Sequence, residues 1–207
     1  NKEGPSRFEP AVAGVPLLWQ PHALEEGVTV VDTRDQNIFK SGHYPGSINL
    51  MARDQDDKIE TWLGSIIRPE EPIYLVIGSV KDREEVLNRV AKIGYEKQVR
   101  GVVVPGMNLS ATSETFDLEK FRKNPDAFTI VDIRNPGEFR EGAFFDHALN
   151  IPLNELRDSI GKIPTDKPVM VHCAGGYRSA AGSSILEQAI GTQAVYDLSE
   201  AVEEFKE

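Results

Sequence analysis

The chain has 207 residues, 40% hydrophobic and 27% charged. That is ordinary for a globular protein and enough for two compact domains of about 100 residues each or one larger one. A formal net charge of −10 argues against nucleic acid or an anionic membrane surface as partner. No apolar run approaches the ~18 residues a membrane helix needs, and no signal-peptide pattern opens the chain.

Asn1, not Met, stands first, as expected of a fragment of a longer polypeptide or a processed chain. The one cysteine, Cys173, excludes a disulfide within the chain and suits a reducing compartment, so the cytoplasm is expected. His22, His43, His147 and His172 are scattered without ligand spacing, so no metal and no cofactor are expected.

Along the chain, one pattern occurs twice. Val30, Val31, Asp32, Thr33 and Arg34 are followed by Phe39, Gly42 and then Ser47, Ile48, Asn49 and Leu50. Ile130, Val131, Asp132, Ile133 and Arg134 are followed by Phe139, Gly142 and then Ala148, Leu149, Asn150 and Ile151. Tyr74 to Ile77 matches Val169 to His172, and both strands lead into a turn ending in arginine, Arg83 or Arg178. This self-similarity predicts two copies of one domain, residues 1–107 and 113–207. The polar, turn-forming stretch from Pro105 to Thr112 is the expected linker. In the second copy, strands are expected at about 129–132, 148–150, 169–172 and 194–196. Helices are expected near 115–123, 136–141, 153–160, 178–190 and 199–206. Short apolar strands alternating with helices predict an α/β fold, each copy a parallel sheet with helices on both faces. Ligands in such folds bind beyond the carboxyl ends of the strands.

Cys173 falls there. The apolar strand Pro168 to His172 runs into Cys173, Ala174, Gly175, Gly176, Tyr177, Arg178 and Ser179, and a helix rich in Ala180, Ala181, Ser183 and Ser184 follows. Turn N–H groups, the positive end of the helix and the Arg178 charge all favour thiolate over thiol. The two glycines let the backbone curl around whatever atom sits on the sulfur. A nucleophile in an anion cradle is the reading.

The chain resembles a tandem of two rhodanese-like domains over nearly its whole length. The second copy carries that family's Val131 to Phe139 opening (VDIRNPGEF), its Ala148 to Pro152 segment (ALNIP) and its His172 to Ser179 loop (HCAGGYRS). The resemblance implies a sulfurtransferase whose cysteine alternates between thiolate and persulfide. Its donor would be thiosulfate or a low-molecular-weight persulfide, and its acceptor a thiol, sulfite or cyanide. Cys173 to Arg178 spans the six-residue loop that sulfurtransferases close around one sulfur atom; phosphatases of the same fold carry one residue more. Catalytic roles are expected for Cys173 and Arg178, and substrate contacts for Ala174, Gly175, Gly176, Tyr177 and Ser179. Arg178 either binds the anionic group or stitches loop to helix; Tyr177 lines the mouth or packs. His172 is expected to be structural. Asp132 and Arg134, repeated as Asp32 and Arg34, are expected to hold the fold, with Glu138 as the partner of Arg134. In the first copy, aligning Arg83 with Arg178 puts Gly78 at the nucleophile position, so that copy is expected to be silent. The loop is also similar to rhodanese domains fused behind metallo-β-lactamase-fold persulfide dioxygenases, which implies an iron-binding domain ahead of Asn1. A persulfide carrier or sensor serving a fused or separate partner enzyme is the alternative reading.

Overall fold

A computed structural model of the chain describes residues 12–107, 109–191 and 193–206. Residues 1–11 of the expected first domain, Asn108 of the expected linker, Thr192 and Glu207 lie outside the described residues.

The first copy folds as a five-stranded parallel sheet. Its strands are β1 (Leu17–Trp19), β2 (Thr29–Asp32), β3 (Ile48–Asn49), β4 (Ile73–Val76) and β5 (Val99–Val104), in the spatial order β1-β5-β4-β2-β3. Helices α1 (Gln36–Ser41), α2 (Ile59–Ile66) and α3 (Arg83–Lys92) make the crossovers that a parallel sheet requires. Among the described residues the second copy repeats the plan without a counterpart of β1. Strands β6 (Thr129–Asp132), β7 (Leu149–Asn150), β8 (Val169–His172) and β9 (Val195–Asp197) lie in the order β7-β6-β8-β9. Its helices are α4 (Leu118–Lys123), α5 (Pro136–Glu141), α6 (Leu153–Ser159) and α7 (Tyr177–Ile190). The last expected helix is instead a 3-10 segment over Ser199–Phe205. The expected linker is partly tied down, because His43 and Ala111 form an antiparallel bridge.

Alternation along the strands divides the core. Val31, Ile73 and Leu75 of the first sheet and Val131, Val169 and Val171 of the second point into one apolar cluster that runs through both copies. Val30, Tyr74 and Val76 face the opposite side of the first sheet, and Ile130 and Met170 that of the second, where Phe121 and Phe145 complete the packing. Helix α2 packs against α6, and α7 packs against β3. Polar contacts pin the same interface. The Asn49 N–H donates to Ser184 Oγ at 3.0 Å, Arg157 pairs with Glu71 at 2.8 Å and Lys40 pairs with Asp197 at 2.7 Å. Removing the shared apolar surface from water is what holds the copies together, at about 25 cal/mol per Å². No helix among the described residues is long and apolar enough to cross a membrane.

One small residue sets how close α7 can lie to its sheet. A Cβ on Gly182 would come within 2.7 Å of Ile133 Cδ1 and 3.3 Å of Val171 Cγ1. The helix that begins at the cysteine loop is therefore seated on β8 at near-minimal distance.

Candidate active site

Each copy carries the same internal brace at the carboxyl ends of its strands. In the first, Arg34 donates to Asp32 (Nη2 to Oδ2, 2.6 Å) and to the Gly42 carbonyl at 2.8 Å. In the second, Arg134 donates to Asp132 at 2.6 Å and to the Gly142 carbonyl at 2.9 Å. Asn49 Nδ2 caps the Asp32 and Arg34 carbonyls at 3.1 and 3.0 Å, and Asn150 Nδ2 caps those of Asp132 and Arg134 at 3.0 and 2.9 Å. The recurrent residues brace the loops, as the repeat suggested. Glu138 is not the partner of Arg134, contrary to expectation: Asp132, two residues away on the same strand end, already occupies that guanidinium.

Glu138 instead grips Arg178. Its two carboxylate oxygens accept from Nη1 and Nη2, each at 2.6 Å, the bidentate geometry in which arginine and carboxylate fit best. Glu138 also accepts from the Asn135 N–H at 3.0 Å, closing the capping box of α5. The Arg178 charge holds the Glu138 carboxyl below its ordinary range. Burial works against the charge on Arg178, but Glu138 and the neighbouring cysteine keep its pKa above the ordinary value.

Cys173 follows β8 directly and is 1% exposed. The Gly176 N–H donates to its Sγ at 3.2 Å. Gly176 has φ +98°, and a Cβ there would meet the Glu200 backbone nitrogen at 3.2 Å and the Ser199 carbonyl carbon at 3.3 Å. Only glycine satisfies both the left-handed backbone and the close approach. Ser179 is fully buried and donates from Oγ to the Gly176 carbonyl at 3.0 Å, so it holds the loop from beneath. Ala174 is half-buried and Gly175 exposed. His172 lies on the other side of the sheet, its ring centroid 5.1 Å from that of Phe145 and 5.7 Å from that of Phe144. Burial lowers its pKa, with Asp132 pulling the other way, and its Nε2 has no hydrogen-bond partner among the described residues.

A cleft of about 370 Å³ opens over Cys173, and Gly175, Tyr177 and Arg178 form one wall. The opposite wall comes from the first copy: Arg53, Asp54, Asp56, Asp57, Lys58 and Trp62. Tyr177 joins the two by donating its hydroxyl to the Met51 carbonyl at 2.7 Å. Burial raises the Tyr177 pKa, so this phenol remains a neutral donor. The Arg178 guanidinium carbon stands 5.7 Å from the Trp62 ring centroid. The first copy's contribution was not legible in the sequence, because residues 53–62 reach the cysteine only through docking of α2 on α6. A larger cleft of about 790 Å³ lies around Gln20–Val30 and Gln188, lined by no thiol.

Strand register corrects the alignment of the first copy. Thr29 pairs with Ile73 and Asp32 with Val76; Thr129 pairs with Val169 and Asp132 with His172. Val76 thus stands where His172 does, and Ile77, not Gly78, takes the place of Cys173. The arginine-anchored alignment is off by one because Ile77–Arg83 is one residue longer than Cys173–Arg178. The first loop is also closed on itself. Asp82 Oδ2 accepts from the Ser79 N–H at 2.9 Å, Ser79 Oγ accepts from the Lys81 N–H at 3.3 Å, and Arg83 donates to the Val15 carbonyl at 2.6 Å.

Among known proteins, the chain is 35% identical over 85 residues to "Uncharacterized protein YqhL" of Bacillus subtilis, covering 41% of this chain and 66% of that one. It is 36% identical over 59 residues to "Sulfurtransferase" of Allochromatium vinosum, covering 28% of this chain and 54% of that one. The chain thus spans less than two thirds of either curated relative. Among solved structures, a rhodanese-related protein from Thermoplasma volcanium is similar, with 31% identity and a TM-score of 0.38, covering 42% of this chain and 84% of that one. The family profile of the rhodanese-like domain matches twice, at residues 18–103 and 117–207, and the chain belongs to that family as two tandem copies.

Proposed function

We propose that the chain is a sulfurtransferase working through a Cys173 persulfide. One observation carries this reading: a lone thiol at the end of β8, whose Sγ receives the Gly176 N–H, under a cleft walled by Arg178 and Tyr177. Backbone N–H groups aimed at a sulfur stabilise an anion there, whether thiolate or persulfide.

The reaction is a double displacement. The Cys173 thiolate attacks the outer sulfur of the donor, a new S–S bond forms, and the donor's own bond to that sulfur breaks. Thiosulfate leaves sulfite; a low-molecular-weight persulfide leaves its thiolate. The acceptor, a thiolate, sulfite or cyanide, then takes the terminal sulfur, and the bonding pair returns to Cys173. No electrons enter or leave overall. Glu138 holds the Arg178 guanidinium at the cleft, where its charge faces the anionic sulfur; Gly176 shapes the cradle; Ser179 holds the Gly176 carbonyl, and Tyr177 ties the loop to the first copy at Met51. A persulfide dioxygenase domain ahead of Asn1 would release sulfite, one of the acceptors named, and sequencing the full open reading frame tests that part alone.

The test is thiocyanate formation from thiosulfate or glutathione persulfide plus cyanide. Wild type is expected to turn over and Cys173→Ser to be inactive. Loading of Cys173 without turnover would move the chain to a persulfide carrier serving a partner enzyme.

A further inference from the structure

The cleft over Cys173 is lined by three cations, and two of them are paired with carboxylates. Arg178 is held by both oxygens of Glu138. Arg53 donates from Nε and Nη2 to Asp57 at 3.0 and 2.9 Å and from Nη1 to Asp35 at 3.1 Å. The Lys58 side chain alone makes no ion pair or hydrogen bond among the described residues, although its carbonyl accepts from the Trp62 N–H. On the same wall, Asp54 and Asp56 are exposed and have no cationic side-chain partner among the described residues. Three carboxylates, Asp54, Asp56 and Asp57, and three cations line the cleft, and of those without a counter-ion two are carboxylates and one is a lysine.

We propose that the 53–58 loop of the first copy is an electrostatic filter that selects a cationic or uncharged alkyl persulfide as the donor to Cys173 and disfavours the thiosulfate dianion. The proposal rests on the sulfur-transfer reading and specifies its substrate class. The physics is that of charge lining a narrow cleft, where a like-charged ligand is repelled at encounter and an oppositely charged one is concentrated. Trp62, half-buried beside Arg178, offers an apolar wall to the donor's methylene groups. Chemically, the Cys173 thiolate takes the outer sulfur of RS–SH, the donor's S–S bond breaks, and RS⁻ departs with the bonding pair. Charge is conserved, with no oxidant or reductant needed. The silent copy is then the part of the molecule that chooses the substrate.

The experiment follows loading of Cys173 by time-resolved intact mass, with thiosulfate and with cysteamine persulfide as donors. The proteins compared are wild type and the double variant Asp54→Asn/Asp56→Asn. Asparagine keeps the Oδ1 acceptor through which Asp54 holds the Asp56 and Asp57 N–H groups at 2.9 and 3.3 Å. The variant is expected to load from thiosulfate about fivefold faster and from cysteamine persulfide about twofold to fivefold slower, the scale of two screened surface charges. Raising salt should compress the difference between donors in wild type. Loading at rates indifferent to both substitutions, or changed by one common factor for both donors, would overturn the filter while leaving sulfur transfer intact. Failure of Cys173 to load from either donor in either protein would overturn the sulfur-transfer reading, and the filter with it.

Discussion

The two copies share a brace and differ in a loop. Asp32, Arg34, Gly42 and Asn49 reproduce the hydrogen bonds of Asp132, Arg134, Gly142 and Asn150 to within about a tenth of an ångström. Beyond the brace the loops part. The second copy has a thiol, an N–H aimed at it and an arginine gripped by Glu138. The first has Ile77 in the thiol's place, Ile38 where Glu138 would be, and a loop whose polar groups are used by Asp82 and Ser79. Residues that recur therefore report the fold, and residues that do not recur report the chemistry. The first copy still borders the site, because its 53–62 segment walls the cleft.

The brace is where that comparison can be broken hardest. Asp32→Ala and Asp132→Ala should each destabilise the protein by about 3–5 kcal/mol, since each leaves a buried arginine without its counter-charge. Chemical denaturation of the two variants checks this, and a large loss from only one would show that the brace is not equivalent in the two copies.

Glycines sharpen the contrast. Gly176→Ala forces a side chain into left-handed backbone and against the Glu200 and Ser199 main chain. It should cost about 1–3 kcal/mol and most of the activity. Gly78→Ala meets only ordinary contacts, at 3.6 and 4.0 Å, and should shift stability by less than about 0.5 kcal/mol. Thermal melts with activity assays separate the two.

A smaller effect is expected at the seam. Tyr177→Phe removes the hydroxyl that reaches the Met51 carbonyl, at a cost of about 1 kcal/mol in stability. A lowered rate of sulfur loading should accompany it if the seam positions the loop.

Glu187 on α7 gives the mildest test. Burial raises its carboxyl to about 7, the Ser113 hydroxyl partly offsetting this. A carboxyl whose folded pKa exceeds its unfolded value keeps its proton longer in the folded state, so stability is full below about 4.5 and declines as pH rises to about 7. Glu187→Gln should flatten that decline in a pH series of melts, and an unchanged slope would contradict the shift.

Much of this was legible beforehand, for physical reasons that differ by element. Thr129–Asp132 and Val169–His172 are apolar runs bounded by turns, and the strands fall at the expected places. Cys173 lies at a strand end because the Gly-Gly turn ends the strand there. Strand β1 gave no signal, since three residues carry no period and the pairing with β5 is tertiary. The one-residue shift at Ile77 was hidden because the strand match of Tyr74 to Ile77 with Val169 to His172 and the arginine match of Arg83 with Arg178 share one offset, and only ladder pairing could show it wrong. The wall over Cys173 was invisible for a deeper reason: it depends on how two copies dock, through α2 and α6, and no local pattern encodes that.

Intact mass before and after incubation with glutathione persulfide, on wild type, Cys173→Ser and Ile77→Cys, would settle whether function resides in the second loop alone. A cyanide-removable gain of one sulfur atom on wild type, none on Cys173→Ser, and no second atom on Ile77→Cys is the expected result. Sulfur retained on Cys173→Ser, or no gain on wild type, would contradict a Cys173 persulfide outright.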